Sequence, residues 1–162
     1  MNDAPPLAHR DHAEHTTGAA GDALSKRRLK LWVRMLSVTR KTEAQLRDYL
    51  RREHGTTLPR FDVMAALRRR GEPVTMGELS RMLLVSNGNA TDVVGRLEAE
   101  GLAVRIPCVE DRRTVRAALT DQGRTLFDRM AAGHEAEVAR IFAPLDDDDL
   151  DAARDVLRKL TR

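Results

Sequence analysis

Residues 75–102 read TMGELSRMLLVSNGNATDVVGRLEAEGL, and this stretch decides the fold. Thr75 and Glu78 stand three residues apart before an apolar run, which is the pattern of a capping box at the start of a helix. After a tight turn at residues 84–86, apolar residues recur at the spacing of a second helical face: Ala90, Val93, Val94 and Leu97. Gly101 is placed to end this second helix in a left-handed conformation. The stretch therefore predicts two short helices joined by a tight turn.

A hairpin is predicted directly after the second helix, because residues 102–106 and 114–119 read as two short strands around a polar loop. Two short helices, a tight turn and a hairpin make a winged helix-turn-helix. Apolar residues at helical spacing predict two helices before this unit and two after it. The first of them is expected from Leu24 to about Arg52. The predicted fold is mainly α, with six helices and a small β-hairpin wing.

The second short helix of the motif is predicted to read DNA. In a winged helix-turn-helix the N-terminal half of this helix enters the major groove, where Asn can pair with adenine and Thr can touch the methyl group of thymine. Its outward residues there are small and polar: Ser86, Asn87, Gly88, Asn89 and Thr91. Three further residues complete the candidate contacts around the motif: Thr75, Arg96 and Arg105. A capped surface helix that happens to be polar is the alternative interpretation.

The tip of the predicted wing carries Asp111, Arg112 and Arg113. An arginine at a wing tip can insert into the narrow minor groove, where the negative potential of DNA is strongest. Asp111 could hold the loop by accepting hydrogen bonds from the backbone or from an arginine. The alternative is a solvated run of charges.

Composition is consistent with one soluble domain of 162 residues that carries a net charge of +3. Aromatic residues make up only 3% of the chain, so the core must be aliphatic. Cys108 is the one cysteine, which excludes an internal disulfide and fits a reducing cytoplasm. The N-terminus lacks the pattern of a signal peptide, and no stretch is apolar enough to span a membrane. We therefore expect a soluble, cytoplasmic protein with no membrane partner.

The first 23 residues are predicted to form a mobile tail, because they combine proline, glycine and scattered polar residues. His9, His12 and His15 would share one face if this segment were helical, and could then bind a metal. A solvated tail with incidental histidines is the other interpretation. We assign neither a metal site nor a cofactor.

Four pieces of the sequence resemble the MarR family of bacterial regulators: TMGELS at 75–80, SNGNAT at 86–91, RLEAEGL at 96–102, and DRR at 111–113 followed by LT at 119–120. Asp111 and Arg113 match the Asp-x-Arg pattern at the wing tip of that family. The likeness extends over about residues 24–162. It implies a homodimer that binds a palindromic operator in double-stranded DNA, as a repressor that a small molecule releases.

The resemblance also implies a division of the chain. Residues 24–58 and 121–162 would form the dimerisation helices, and residues 59–120 would form the DNA-binding lobe. The first helix carries two adjacent apolar stripes, which fits burial against its own subunit and against a partner.

An anionic effector is one interpretation of the charge in residues 24–60, which carry eleven Lys or Arg against three acidic residues. Surface solvation or phosphate contact is the other. The run TTLPRFD at 56–62, together with SNGN at 86–89, resembles a MarR subgroup that governs aromatic-acid catabolism. Effectors of that subgroup include hydroxycinnamoyl-CoA thioesters and hydroxylated nicotinic acid. The candidate pocket would combine cations with apolar walls: Trp32, Met35, Arg40, His54, Arg60, Phe61 and Asp62.

Three other classes of function were weighed. An enzyme is disfavoured, because the chain has no glycine-rich phosphate loop, no nucleophile elbow and no spaced metal ligands outside the tail. A winged-helix module that binds proteins is a second alternative. A redox-responsive regulator that uses Cys108 is a third, although the first helix contains no cysteine.

Overall fold

The computed structural model describes residues 15–108 and 114–161, and it describes side chains from residue 21 onward. This part of the chain forms a mainly α fold with six helices and a small antiparallel sheet, as the sequence predicted. The elements follow in this order: α1 (His15–His54), α2 (Leu58–Arg70), β1 (Val74–Thr75), α3 (Met76–Leu83), α4 (Asn87–Ala99), β2 (Ala103–Pro107), β3 (Val115–Leu119), α5 (Asp121–Phe142) and α6 (Asp147–Leu160).

The chain divides into two compact units, Met1–Lys41 and Thr42–Arg162, and each is described by itself. The first unit contains the N-terminal part of α1, which begins at His15. The prediction of a helix start at Leu24 is therefore wrong, because residues 15–23 already belong to α1. Extending an existing helix adds one hydrogen bond per residue without a new nucleation step. Alanine-rich residues can thus join the helix without an apolar stripe of their own.

The second unit is built around an aliphatic core, as the low aromatic content indicated. Its most completely buried large side chains come from α1, α2, α3, α4 and α5, and from β1: Leu50, Met64, Leu79, Leu97, Met130, Val63, Val74 and Val94. Burying one such side chain stabilises a fold by about 1.5–3 kcal/mol. Leu50 of α1 and Met130 of α5 thus help to fix the helices that lie between them in the sequence.

A three-stranded antiparallel sheet with the order β1-β3-β2 lies beside these helices. The predicted hairpin is present, with Ala103 opposite Leu119 and Pro107 opposite Val115. The strand β1, which pairs with β3 through Val74 and Thr75, was not predicted from the sequence. A strand of two residues is too short to show an alternating pattern.

Both C-terminal helices begin with a side-chain cap. The backbone N–H of Gly123 donates to Oγ1 of Thr120 at 3.0 Å, at the start of α5. The backbone N–H of Asp149 donates to Oδ1 of Asp146 at 2.9 Å, at the start of α6. None of the residues of α6 is buried. Its apolar stripe is therefore open, with Leu150, Leu157 and Leu160 between 45% and 64% exposed.

The turn between α3 and α4 depends on an unusual backbone conformation. Leu84 has φ 55° and ψ 36°, in the left-handed region, and its side chain is 93% exposed. A residue with a Cβ pays about 1–2 kcal/mol in this region, whereas glycine does not. Leu84 therefore strains the turn and contributes no packing in return.

Replacing Leu84 by glycine is expected to stabilise the protein by about 0.5–1 kcal/mol, because the strain is relieved while no buried contact is lost. The free energy of unfolding in urea measures the effect. Gly101→Ala is the opposite control, because Gly101 has φ 73° and an added Cβ would meet only an ordinary contact with Gln122. That variant should be destabilised. A loss of stability in Leu84→Gly would contradict the assignment of strain.

Candidate nucleic-acid interface

The helix α3 is fixed by the capping box that the sequence predicted. Oγ1 of Thr75 accepts from the backbone N–H of Glu78 at 3.2 Å, and the backbone N–H of Thr75 donates to the Glu78 carboxylate at 2.9 Å. The backbone N–H and the hydroxyl of Thr75 both donate to the Glu78 carboxylate and thereby lower the pKa of Glu78. The Thr75 side chain is thus engaged in the hydrogen bonds of the helix cap, and Thr75 is part-buried.

The N-terminal turn of α4 is exposed and carries the small polar residues selected from the sequence. Oγ of Ser86 accepts from the backbone N–H of Asn89 at 3.3 Å and caps the helix. Gly88 and the side chain of Asn89 are exposed, and no acidic residue lies in the first turn. The positive end of a helix dipole and its free N–H groups attract anions such as phosphate. This turn is therefore chemically suited to a DNA backbone.

Asn87 is the exception in this turn, because its side chain is tied to α3. Oγ of Ser80 donates a hydrogen bond to Oδ1 of Asn87. The bond links the two helices of the motif and restricts the rotation of the Asn87 amide. Asn89 has no such tie among the described residues, so it is the freer of the two amides.

Thr91 lies with Thr75 and Arg105 in one groove. The groove has a volume of about 470 Å³ and runs between the start of α3, the middle of α4 and the two hairpin strands. It is lined by Thr75, Met76, Gly77, Thr91, Arg105, Thr114 and Val115. Three residues selected from separate parts of the sequence therefore meet at one surface.

Arg105 directs its guanidinium at α4. Its Nη2 donates to the backbone oxygen of Thr91 at 2.8 Å, and its Nε lies 3.4 Å from the Glu98 carboxylate. The approach requires Gly95, because a Cβ on Gly95 would lie 2.8 Å from Nη2 of Arg105. The sequence predicted a DNA contact for Arg105 but not its contact with Glu98. Residue spacing alone does not show that β2 and α4 meet at this point.

A second cleft, of about 530 Å³, opens between α2 and α4. Apolar side chains form part of its wall, and several polar residues also line it: Arg60, Asp62, Asn89, Asp92 and Arg96. Arg96 is exposed and has no acidic partner among the described residues. The helix α4 therefore supplies one wall of this cleft.

The charged groups of this cleft differ in whether they have an ion-pair partner. Both Nη atoms of Arg60 donate to the Glu100 carboxylate, which lowers the pKa of Glu100. Nε of Arg60 is buried without a hydrogen-bond partner in the described part of the protein. Burial raises the pKa of Asp62 to about 6, and the Glu43 carboxylate adds to that shift. Asp62 is thus a carboxyl group that titrates near neutral pH.

Two other residues of the predicted effector pocket, Phe61 and His54, have partners of their own in the second compact unit. Phe61 is buried and stacks on His134 with ring centroids 4.2 Å apart, and Nε2 of His54 lies 3.3 Å from the hydroxyl of Tyr49. Neither Phe61 nor His54 lines the cleft of Arg60 and Asp62. Within the first compact unit, Trp32 and Arg40 are exposed and Met35 is half-buried. The sequence analysis missed His134 because it is far from Phe61 along the chain.

Some predicted site residues fall outside the described residues: Asp111, Arg112 and Arg113, and also His9 and His12. The side chain of His15 is likewise not described, and Cys108 is half-buried. The described chain contains no group of three or more side chains able to hold a metal ion. None of its helices is both long enough and apolar enough to cross a membrane.

Comparison with known proteins gives consistent matches. Residues 54–114 match the MarR family. The HTH-type transcriptional regulator YkoM of Bacillus subtilis is 35% identical over 118 residues, which cover 73% of this chain and 75% of the relative. A MarR family regulator from Silicibacter pomeroyi superimposes with a TM-score of 0.73 at 31% identity, covering 85% of this chain and 94% of that one.

A mutant of MarR from E. coli, solved in complex with operator DNA, has a TM-score of 0.74 at 23% identity, covering 84% of this chain and 96% of that one. This likeness shows a shared fold. The relatives from Bacillus subtilis and Silicibacter pomeroyi are both described as transcriptional regulators. Together with the exposed helix-turn-helix and its hairpin, these matches place the chain in the MarR family of DNA-binding transcriptional regulators.

Proposed function

We propose that this regulator is a homodimeric repressor that binds a palindromic operator and is released by a small anionic aromatic compound. The observation that carries the DNA-binding part is the exposed, acid-free first turn of α4. Ser86, Gly88, Asn89 and Thr91 would face the major groove, and Arg113 would enter the minor groove. The regulator would act in the cytoplasm, where its operator would be.

Two open apolar surfaces support the homodimer. In the first compact unit, Leu29, Trp32 and Val33 of α1 are between 55% and 60% exposed. In the second, the stripe of α6 is open along its length. Contiguous apolar surface of this kind is costly in water and marks an interaction site. A second copy of the chain would cover both surfaces.

The cleft between α2 and α4 supports an anionic effector. Arg96 offers a cation without an acidic partner in the described structure, and Val63, Val85 and Val93 offer apolar wall. An aromatic acid such as a hydroxynicotinate, or an aromatic acyl-CoA, combines the two chemistries. Because Asn89 and Arg96 belong to α4, an occupant of the cleft would contact the DNA-reading helix directly.

Operator binding is tested by a gel shift on the duplex upstream of the regulator's own gene. Asn89→Ala should weaken the specific complex about tenfold to a hundredfold, because a bidentate base contact is worth about 1–3 kcal/mol. Gln122→Ala removes another exposed amide, from α5, and should leave affinity unchanged. Absence of any specific complex would favour the protein-binding module instead. Loss of the complex on oxidation alone, abolished in Cys108→Ala, would favour the redox alternative.

Arg105 is expected to position α4 rather than to contact phosphate. Arg105→Gln should weaken operator binding about tenfold while leaving its salt dependence unchanged. Loss of a phosphate contact would instead reduce the slope of log affinity against log salt by about one. Gly95→Ala should reproduce the effect, because its Cβ displaces the guanidinium from Thr91. Arg116→Gln is the control, since it removes an exposed arginine from β3. A lowered slope in Arg105→Gln alone would refute the positioning role.

Effector binding should strengthen as the pH falls. Because the pKa of Asp62 is raised to about 6, the group is mainly neutral at pH 5.5 and mainly charged at pH 7.5, where it repels an anion. We expect 6-hydroxynicotinate or a hydroxycinnamate to raise the melting temperature more at the lower pH. Asp62→Asn should give the larger shift at both values. Asp92→Asn, at an exposed acid of the same cleft, should retain the pH dependence. If none of a panel of aromatic acids stabilises the protein, the effector proposal fails.

A further inference from the structure

The first compact unit carries an uncompensated block of positive charge. Between residues 23 and 42 the sequence has seven basic residues and no acidic one: Lys26, Arg27, Arg28, Lys30, Arg34, Arg40 and Lys41. All seven are exposed on α1. Like charges one turn apart destabilise an isolated helix. The block is therefore unfavourable for the helix itself, and an anionic partner would relieve it.

Five of these cations form a single stripe. At about 100° of rotation per residue, they fall within an arc of about 100° on the helix surface. We call this set the basic stripe: Lys26, Arg27, Lys30, Arg34 and Lys41. Arg28 and Arg40 lie off it. Apart from an exposed pair between Lys26 and Asp22, no ion pair joins the basic stripe to an acidic residue of the described chain.

Two lines of apolar residues lie on other parts of the helix surface, separate from the basic stripe. Leu29, Trp32, Val33 and Leu36 follow one line, and Leu24, Leu31, Met35 and Val38 follow a second. These are the lines that a second copy of the chain would cover. Covering them leaves the basic stripe outward, because its arc falls between the two lines on the opposite side of the helix.

We propose that the basic stripe binds the phosphate backbone of a DNA duplex other than the one read by α4, so that one regulator holds two DNA segments. The sixteen residues from Lys26 to Lys41 span about 22 Å of helix, which is the length of several successive phosphates along one strand. Cations that neutralise phosphates release counterions, and the affinity does not depend on sequence. A membrane surface is the less favoured partner, because insertion would need the same apolar lines that dimerisation would cover.

The experiment uses the full-length regulator bound to an immobilised operator duplex and measures capture of a second, labelled duplex of unrelated sequence. The second duplex should be captured at about 50 mM salt. Its affinity should fall several-hundredfold by about 200 mM salt, as expected for five phosphate contacts. Changing all five stripe residues to glutamine should abolish capture while operator binding stays within about twofold. Glutamine keeps the helix, because its helix propensity is close to that of lysine and arginine.

Two single variants provide the matched comparison. Arg34→Gln lies on the basic stripe and should lower the salt slope of capture by about one, whereas Arg28→Gln lies off it and should leave the slope unchanged. Failure of the unchanged protein to capture a second duplex at low salt would overturn the proposal, as would equal capture by the five-residue variant. Binding to phosphatidylserine vesicles without capture of DNA would also overturn it. Operator binding is measured in the same assay, so a failure to bind the operator can be distinguished from a failure to capture the second duplex.

Discussion

The position of α4 depends above all on the burial of its aliphatic face. Val94 and Leu97 are 0% exposed, and Ala90 beside them is 1% exposed. Turning the helix to present another face would expose two large side chains at a cost of about 3–6 kcal/mol. The exposed first turn is therefore held outward by the core, and the hydrogen bonds around it only refine its direction. This is why a chain with few aromatic residues can still present a defined surface to DNA.

Local signals predicted those parts of the fold whose cause is local. The capping pair Thr75 and Glu78 and the helix end at Gly101 are settled by residues a few positions apart, and the structure contains both. The Arg105 contact with α4 and the Phe61–His134 stack are not local, because tertiary packing selects the partner. The early start of α1 was missed for another reason. Helix propagation needs no apolar pattern, and the proline and glycine of the first 23 residues favoured a tail over a helix.

The helix α4, which we propose faces DNA, is also one wall of the 530 Å³ cleft. Asn89 and Arg96 line that cleft, and the Arg60–Glu100 pair joins the start of α2 to the residue that follows α4. One rigid element thus carries two kinds of surface, one polar and convex and the other partly apolar and concave. A molecule bound in the cleft would affect the polar surface directly, because it would contact the same helix. Sub-ångström shifts can matter here, since packed interiors do not deform smoothly.

The hydrogen bond from Ser80 to Asn87 has a consequence for how this regulator could diverge. It ties the beginning of α4 to α3, while Arg105 clasps the helix further along, at Thr91 and Glu98. Between these two anchor points, Gly88 and Asn89 are free of side-chain ties in the described structure. Substitutions there would change which bases are read without loosening the scaffold. New operator preferences could therefore arise at two positions, with the cost in stability kept small.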